Sequence, residues 1–150
     1  WWTTLNKLRT FVEEEKFSNI DFIYNNAYEF ENKIIVGTRG WSFGESEEDK
    51  KIAKREAMRL ELSINEGKKS YGEEKEVIAF MHYPPIINSH IAKNEPSDYV
   101  RVMQKYGIKK CFYGHLHSTS IQEAVDGNYF GIEFKLVSAD GVDFKLVKIN

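Results

Sequence analysis

Two apolar runs, each leading into a histidine-bearing segment, constrain this chain most. The first is Ala79-Phe80-Met81, which enters His82-Tyr83-Pro84-Pro85. The second is Cys111-Phe112-Tyr113, which enters Gly114-His115-Leu116-His117. A short apolar run bounded by Pro or Gly reads as a buried strand. Three of the four histidines therefore lie just past the ends of two expected strands. In sheets flanked by helices, ligand-binding loops gather at such ends. A single histidine there is ordinarily a surface or hydrogen-bonding residue; three in this layout point to metal ligation, with one ring nitrogen on the ion and the other held by an acceptor. In a straight strand His115 and His117 would share a face. A bend at Gly114 would let them diverge, so they bind one ion together or one each of two neighbouring ions.

The elements around these strands alternate. Residues 3–16 read as an amphipathic helix capped by Thr3 or Thr4, with Leu5, Leu8 and Val12 at helical spacing. Three short strands are expected at 21–24, 27–30 and 33–37, with turns at Asn25-Asn26 and Glu31-Asn32. Residues 47–66 form the clearest helix, with Ala53, Ala57, Leu60 and Ile64 as its apolar stripe. Glu56, Arg59 and Glu66 are expected in solvent, and Gly67 at its end. Residues 86–96 read as a loop carrying His90. Ser97 caps a further helix through Tyr106, which Gly107 ends. Beyond Ser118 the pattern predicts strands at 121–125, 128–137 and 142–149, with hairpin signals at Asp126-Gly127 and Asp140-Gly141. Bottom-up, this is an α+β chain whose mixed sheet carries helices on one face.

Gly114-His115-Leu116-His117 resembles the closing G-H-x-H motif of the calcineurin-like metallophosphoesterases. His82-Tyr83-Pro84-Pro85 resembles the preceding H-x-P-P motif of that family, and the separation of about thirty residues holding a helix fits as well. The resemblance implies the carboxy-terminal half of an α-β-β-α sandwich, with residues 1–150 as a partial domain. The family's upstream D-x-H, G-D-x-x-D and G-N-H-D motifs do not occur here. It implies a two-metal centre hydrolysing phosphomonoesters or phosphodiesters through a metal-activated water, with the cations about 4 Å apart. His82 and His115 would bind one ion and His117 the other, with manganese first and iron, zinc or nickel open. No residue of this chain is offered as proton donor. The implied substrate is a phosphorylated small molecule or nucleotide, and the implied partner is the amino-terminal half of the same domain. The alternative is a non-catalytic scaffold that recruits another protein.

Two further residues are candidates for contact with substrate. Arg39 lies in Thr38-Arg39-Gly40-Trp41-Ser42-Phe43-Gly44, where it either faces a phosphate or rests in a loop pinned by Trp41. His90 lies outside the matched motif and is expected at the rim of the substrate site. A net charge of −2, from 21 basic and 23 acidic residues, supplies no global field for nucleic acid. The lone Cys111 in an apolar strand favours a reducing, cytoplasmic setting and a packing role. No apolar run approaches the roughly 20 residues that span a bilayer. If the sheet awaits a second layer, one apolar face is exposed and the chain self-associates.

Overall fold

The computed structural model describes residues 3–149. Its elements are α1 (Leu5–Glu14), β1 (Tyr28–Phe30), β2 (Lys33–Thr38), α2 (Glu47–Tyr71), β3 (Glu76–Met81), α3 (Asn88–Lys93), α4 (Asp98–Lys105), β4 (Lys110–Tyr113), β5 (Gly127–Tyr129) and β6 (Ile132–Leu136). Single 3-10 segments lie at Ser118–Glu123 and Asp140–Val142. The six strands form one mixed sheet in the order β1-β2-β3-β4-β6-β5. Its four inner strands run parallel, and the two edge strands are antiparallel. The mixed sheet and the α+β class agree with the sequence pattern.

Strand alternation divides the side chains. Ile34, Val36, Val77, Ala79, Met81, Cys111, Tyr113, Ile132, Phe134 and Leu136 join one core with Leu60 and Ile64 of α2 and Val100 and Met103 of α4. Cys111 is fully buried there, in the packing role expected of it. On α2, Gly67 does not end the helix. A Cβ at that position would come within 2.5 Å of Ile34 Cγ2 and 2.8 Å of Ala27 Cβ, so glycine lets the helix lie close on the sheet while Gly72 ends it. Glu56 also departs from expectation: it is 1% exposed rather than solvated. Its Oε2 accepts from the Thr38 hydroxyl at 2.6 Å and its Oε1 from Arg59 Nη1 at 2.6 Å. The charge is buried because both carboxylate oxygens find donors.

On the opposite face of the sheet, Phe80 lines a cavity of about 790 Å³ together with Gly37, Leu5 and Leu8 of α1 and residues 21–25. That face is less open than the sequence led us to expect: Ile78 and Phe112 are buried, and the Phe80 and Phe112 rings stack at 5.2 Å. Exposed large apolar side chains lie at Phe11, Phe17, Ile20, Tyr24 and Phe30, at Met58 and Leu62 of α2, and at Phe144 and Leu146. No described helix is long and apolar enough to cross a membrane.

Several local expectations fail for lack of a partner or a better hydrogen bond. Residues 21–24 are not a strand; the Asn26 side chain accepts from Tyr24 N–H at 2.5 Å and turns the chain before β1. The expected loop 86–96 contains α3. Residues 118–123 are 3-10 rather than extended, started by Ser120 Oγ accepting from His117 N–H at 2.9 Å. Asp126-Gly127 does not turn a hairpin. Asp126 staples β6 by accepting from Leu136 N–H at 2.7 Å, and the turn falls at Phe130 (φ 54°) and Gly131 (φ 79°). Both central residues have positive φ, the form that matches strand twist in a two-residue hairpin. Glu31 (φ 47°) and Asn32 (φ 67°) turn the β1–β2 hairpin the same way, where the sequence placed it. Residues 142–149 form no strand, because β4 and β5 already flank β6 and left-handed backbone at Asp143 and Phe144 breaks the extended path.

Candidate metal centre

Parallel pairing brings the carboxyl ends of β2, β3, β4 and β6 to one rim in that spatial order. Arg39 follows β2, His82 follows β3, His115 and His117 follow β4, and Asp140 follows β6. Backbone bonds lace the rim together. Tyr83 N–H donates to Arg39 O at 2.8 Å, Gly114 N–H to Met81 O and His82 O at 3.2 Å each, and Val137 N–H to Tyr113 O at 2.7 Å. The Tyr113 hydroxyl accepts from Val125 N–H at 2.8 Å and donates to Val125 O at 3.0 Å, which ties down the far end of the histidine loop.

The bend expected at Gly114 belongs to the next residue. Gly114 has no left-handed backbone, whereas His115 sits at φ 71°. Leu116 N–H closes a three-residue turn onto Gly114 O at 2.9 Å. A turn of this kind with positive φ is the rare, strained form, and a non-glycine residue in it costs of order 1–3 kcal/mol, which clusters at functional sites. Leu116 is buried and anchors the turn. The turn sends the two histidines different ways. His115 Nδ1 faces His82 Nε2 at 3.1 Å, while His117 Nδ1 faces Asp140 Oδ1 at 2.6 Å.

Two bare imidazole nitrogens at 3.1 Å repel unless a proton or a cation lies between them. The same spacing fits two nitrogens held near right angles at about 2.1 Å from one ion. The donor set therefore suits the cation implied by the sequence: His82 Nε2 and His115 Nδ1 would hold one ion, and His117 Nε2 is left for another. Among the described residues, no group of three or more His, Cys, Asp or Glu is arranged around a single metal position. Asp140 is the residue that sequence reasoning missed. Its only signal was the Asp140-Gly141 turn pair, and its partner lies 23 positions away.

Arg39 joins this rim and His90 does not. Arg39 lines the larger cavity together with His82. Its guanidinium carbon lies 4.7 Å over the Trp41 ring, and among the described residues it has no carboxylate within ion-pair distance. Trp41 is pinned by its Nε1–H donating to Asp49 Oδ1 at 2.8 Å. The ring series continues through Tyr83, 5.7 Å from Trp41 and 3.9 Å from His115. His90 instead accepts from Ile87 N–H at 3.3 Å and packs edge-on against Phe43 at 4.5 Å. It lines a separate cavity of about 300 Å³ with Asp49, Ser97 and Arg101.

Burial pushes the His82 imidazole below its ordinary 6.5, and the neighbouring His115, His117 and Arg39 charges push it further the same way. His115 is lowered by burial and then by His117. Both rings are thus neutral at pH 7, as metal ligation requires. The unfolded chain binds protons from about pH 6.5 downward more readily than the folded chain, so stability is present above that pH and is lost on acidification through the lowered values. We expect the thermal midpoint to fall between pH 7 and pH 5.5, and to fall less in a His82→Asn/His115→Asn double variant. A wild-type midpoint that is flat or rises over this window would refute the assignment of two neutral rings.

No family model, characterised protein or solved structure matches this chain in the three comparisons made.

Proposed function

We propose that this chain is the histidine-bearing, carboxy-terminal half of a metallophosphoesterase that hydrolyses phosphomonoesters or phosphodiesters at a two-metal centre. The observation that carries the reading is the His82–His115 pair, 3.1 Å apart on neighbouring strand ends, with His115 in a strained left-handed turn. The two imidazoles meet edge-on, nitrogen to nitrogen, with His115 held in a strained turn at a rim where ligand-binding loops gather. His82, His115 and His117 would hold the ions, manganese first. When bound, such ions polarise the phosphoryl oxygens and lower the pKa of a water.

The chain's own residues supply positioning. Tyr83 packs against the His115 ring at 3.9 Å and against the Trp41 ring at 5.7 Å. Arg39, which lies over Trp41 and among the described residues pairs with no carboxylate, would take the non-reacting phosphate oxygens. Under this reading the bridging carboxylates and the proton donor to the leaving group come from the upstream half. The cytoplasm fits this reading, as does a phosphorylated small molecule or nucleotide as substrate.

The test is hydrolysis of an aryl phosphate and an aryl phosphodiester, with added manganese, by the protein joined to its upstream half. Manganese-stimulated turnover is expected. In that assay Arg39→Ala should raise KM with kcat little changed, the mark of lost substrate binding. Unaltered KM would remove Arg39 from the phosphate site. Absence of turnover in the joined protein, with metal bound, would favour a non-catalytic scaffold instead.

A further inference from the structure

We propose that Asp140 is the positioning residue for His117: its carboxylate takes up the Nδ1–H and leaves Nε2 as the bare nitrogen that meets a metal ion. The metal part rests on the function proposed above; the tautomer does not. Both oxygens of Asp140 are engaged by the histidine loop or by its own turn. Oδ1 lies 2.6 Å from His117 Nδ1 and accepts from Gly141 N–H at 3.1 Å, and Oδ2 accepts from Ser118 N–H at 2.8 Å.

An ionised carboxylate only accepts hydrogen bonds. Both Asp140 oxygens already accept from backbone N–H groups, those of Gly141 and Ser118, so the carboxylate meets His117 as an acceptor. His117 Nδ1 must then carry the hydrogen, and the lone pair of the neutral ring falls on Nε2. This is the arrangement by which carboxylates orient metal-binding histidines and raise their basicity.

The fold makes the contact by placing β6 beside β4 in parallel, so that the turn after one strand meets the loop after the other. Gly141 permits the turn. A Cβ there would come within 2.7 Å of Ser138 Oγ and 2.9 Å of Leu136 Cδ2. His117 is also held on its backbone side, where its N–H donates to Ser120 Oγ at 2.9 Å and its carbonyl accepts from the same hydroxyl at 2.7 Å. With the backbone fixed and Nδ1 committed, ring rotation is the one freedom left, and the carboxylate removes it.

The tautomer is read directly from the nitrogen-15 resonances of His117 in this chain at a pH where the ring is neutral. We expect Nδ1–H in the wild type and a shift toward Nε2–H, the form favoured by imidazole in water, in Asp140→Ala. Asp143→Ala, which removes an exposed acid nearby, should leave the tautomer unchanged. An Nε2–H wild type overturns the proposal without recourse to any variant, so misfolding of Asp140→Ala cannot shelter it. A wild-type tautomer retained in folded Asp140→Ala overturns it as well. In the protein joined to its upstream half, Asp140→Ala should weaken apparent manganese affinity by about 10–100-fold, with activity recovering at high manganese. A purely structural role would leave the metal dependence unmoved, and that result too would overturn the proposal. Failure of the phosphoesterase reading shows separately, as a correct tautomer with no hydrolysis in the joined protein.

Discussion

Replacing His115 by alanine in the protein joined to its upstream half is expected to lower manganese-stimulated phosphoester hydrolysis by about two orders of magnitude or more. The size follows from what is removed. His115 Nδ1 stands 3.1 Å from His82 Nε2, so under the proposed function its loss takes away one of two paired metal donors rather than a contact to substrate. His82→Ala should match it, because the pair acts as one unit, and the double variant should cost little more than either single change. His117→Ala should reach a similar loss through the second ion of the proposed centre. His90→Ala should cost far less, since His90 lines a different cavity and serves the start of α3. Hydrolysis of an aryl phosphate by the four single variants decides the matter. Full activity in His115→Ala, or a dead His90→Ala beside active partners, would end the metallophosphoesterase reading.

Gly37→Ala is expected to be the most damaging single-methyl change for stability, at about 3 kcal/mol or more, which is a large share of a typical domain's stability. A Cβ on Gly37 would be driven into the carbonyl oxygen of Phe80, and the nearest obstacle is therefore backbone. A flexible side chain can swing aside from such a clash, but a paired strand cannot. Gly37 and Phe80 are register partners in the parallel β2–β3 ladder. Separating them also unseats the rim, because Arg39 and His82 each lie two residues beyond that pair. Gly114→Ala is the informative contrast. Although Gly114 belongs to the histidine motif, a Cβ there meets nothing nearer than His82 O at 3.8 Å, and its φ is not left-handed. We expect it to change stability by less than about 0.5 kcal/mol. Urea midpoints for the two variants provide the measurement. Equal losses would mean that the strand approach at Gly37 is not as tight as described.

The sequence alone determined the parts of this protein that depend on local pattern. The apolar stripe of α2, the Ser97 cap of α4, the turn at Glu31-Asn32 and the two strands that end in histidine are all readable, because each is specified by neighbours a few residues away. That His82 and His115 lie just past strand ends was legible for the same reason: each comes at the close of an apolar run. Tertiary structure decided what depends on partners far along the chain. Alternation at 142–149 promised a strand, but strand formation needs an open edge, and β6 has none to give. Glu56 looked solvated on a helical wheel, and it is buried because Thr38, 18 positions earlier, offers a hydroxyl to its second oxygen. Gly67 looked like a helix end, yet the close approach of Ile34 and Ala27 makes it a packing surface. Which histidine faces which partner was likewise beyond reach of spacing. His115 turns to His82 and His117 to Asp140 because the left-handed turn at His115 splays them, and because β6 settles beside β4 to bring a carboxylate from 23 residues downstream.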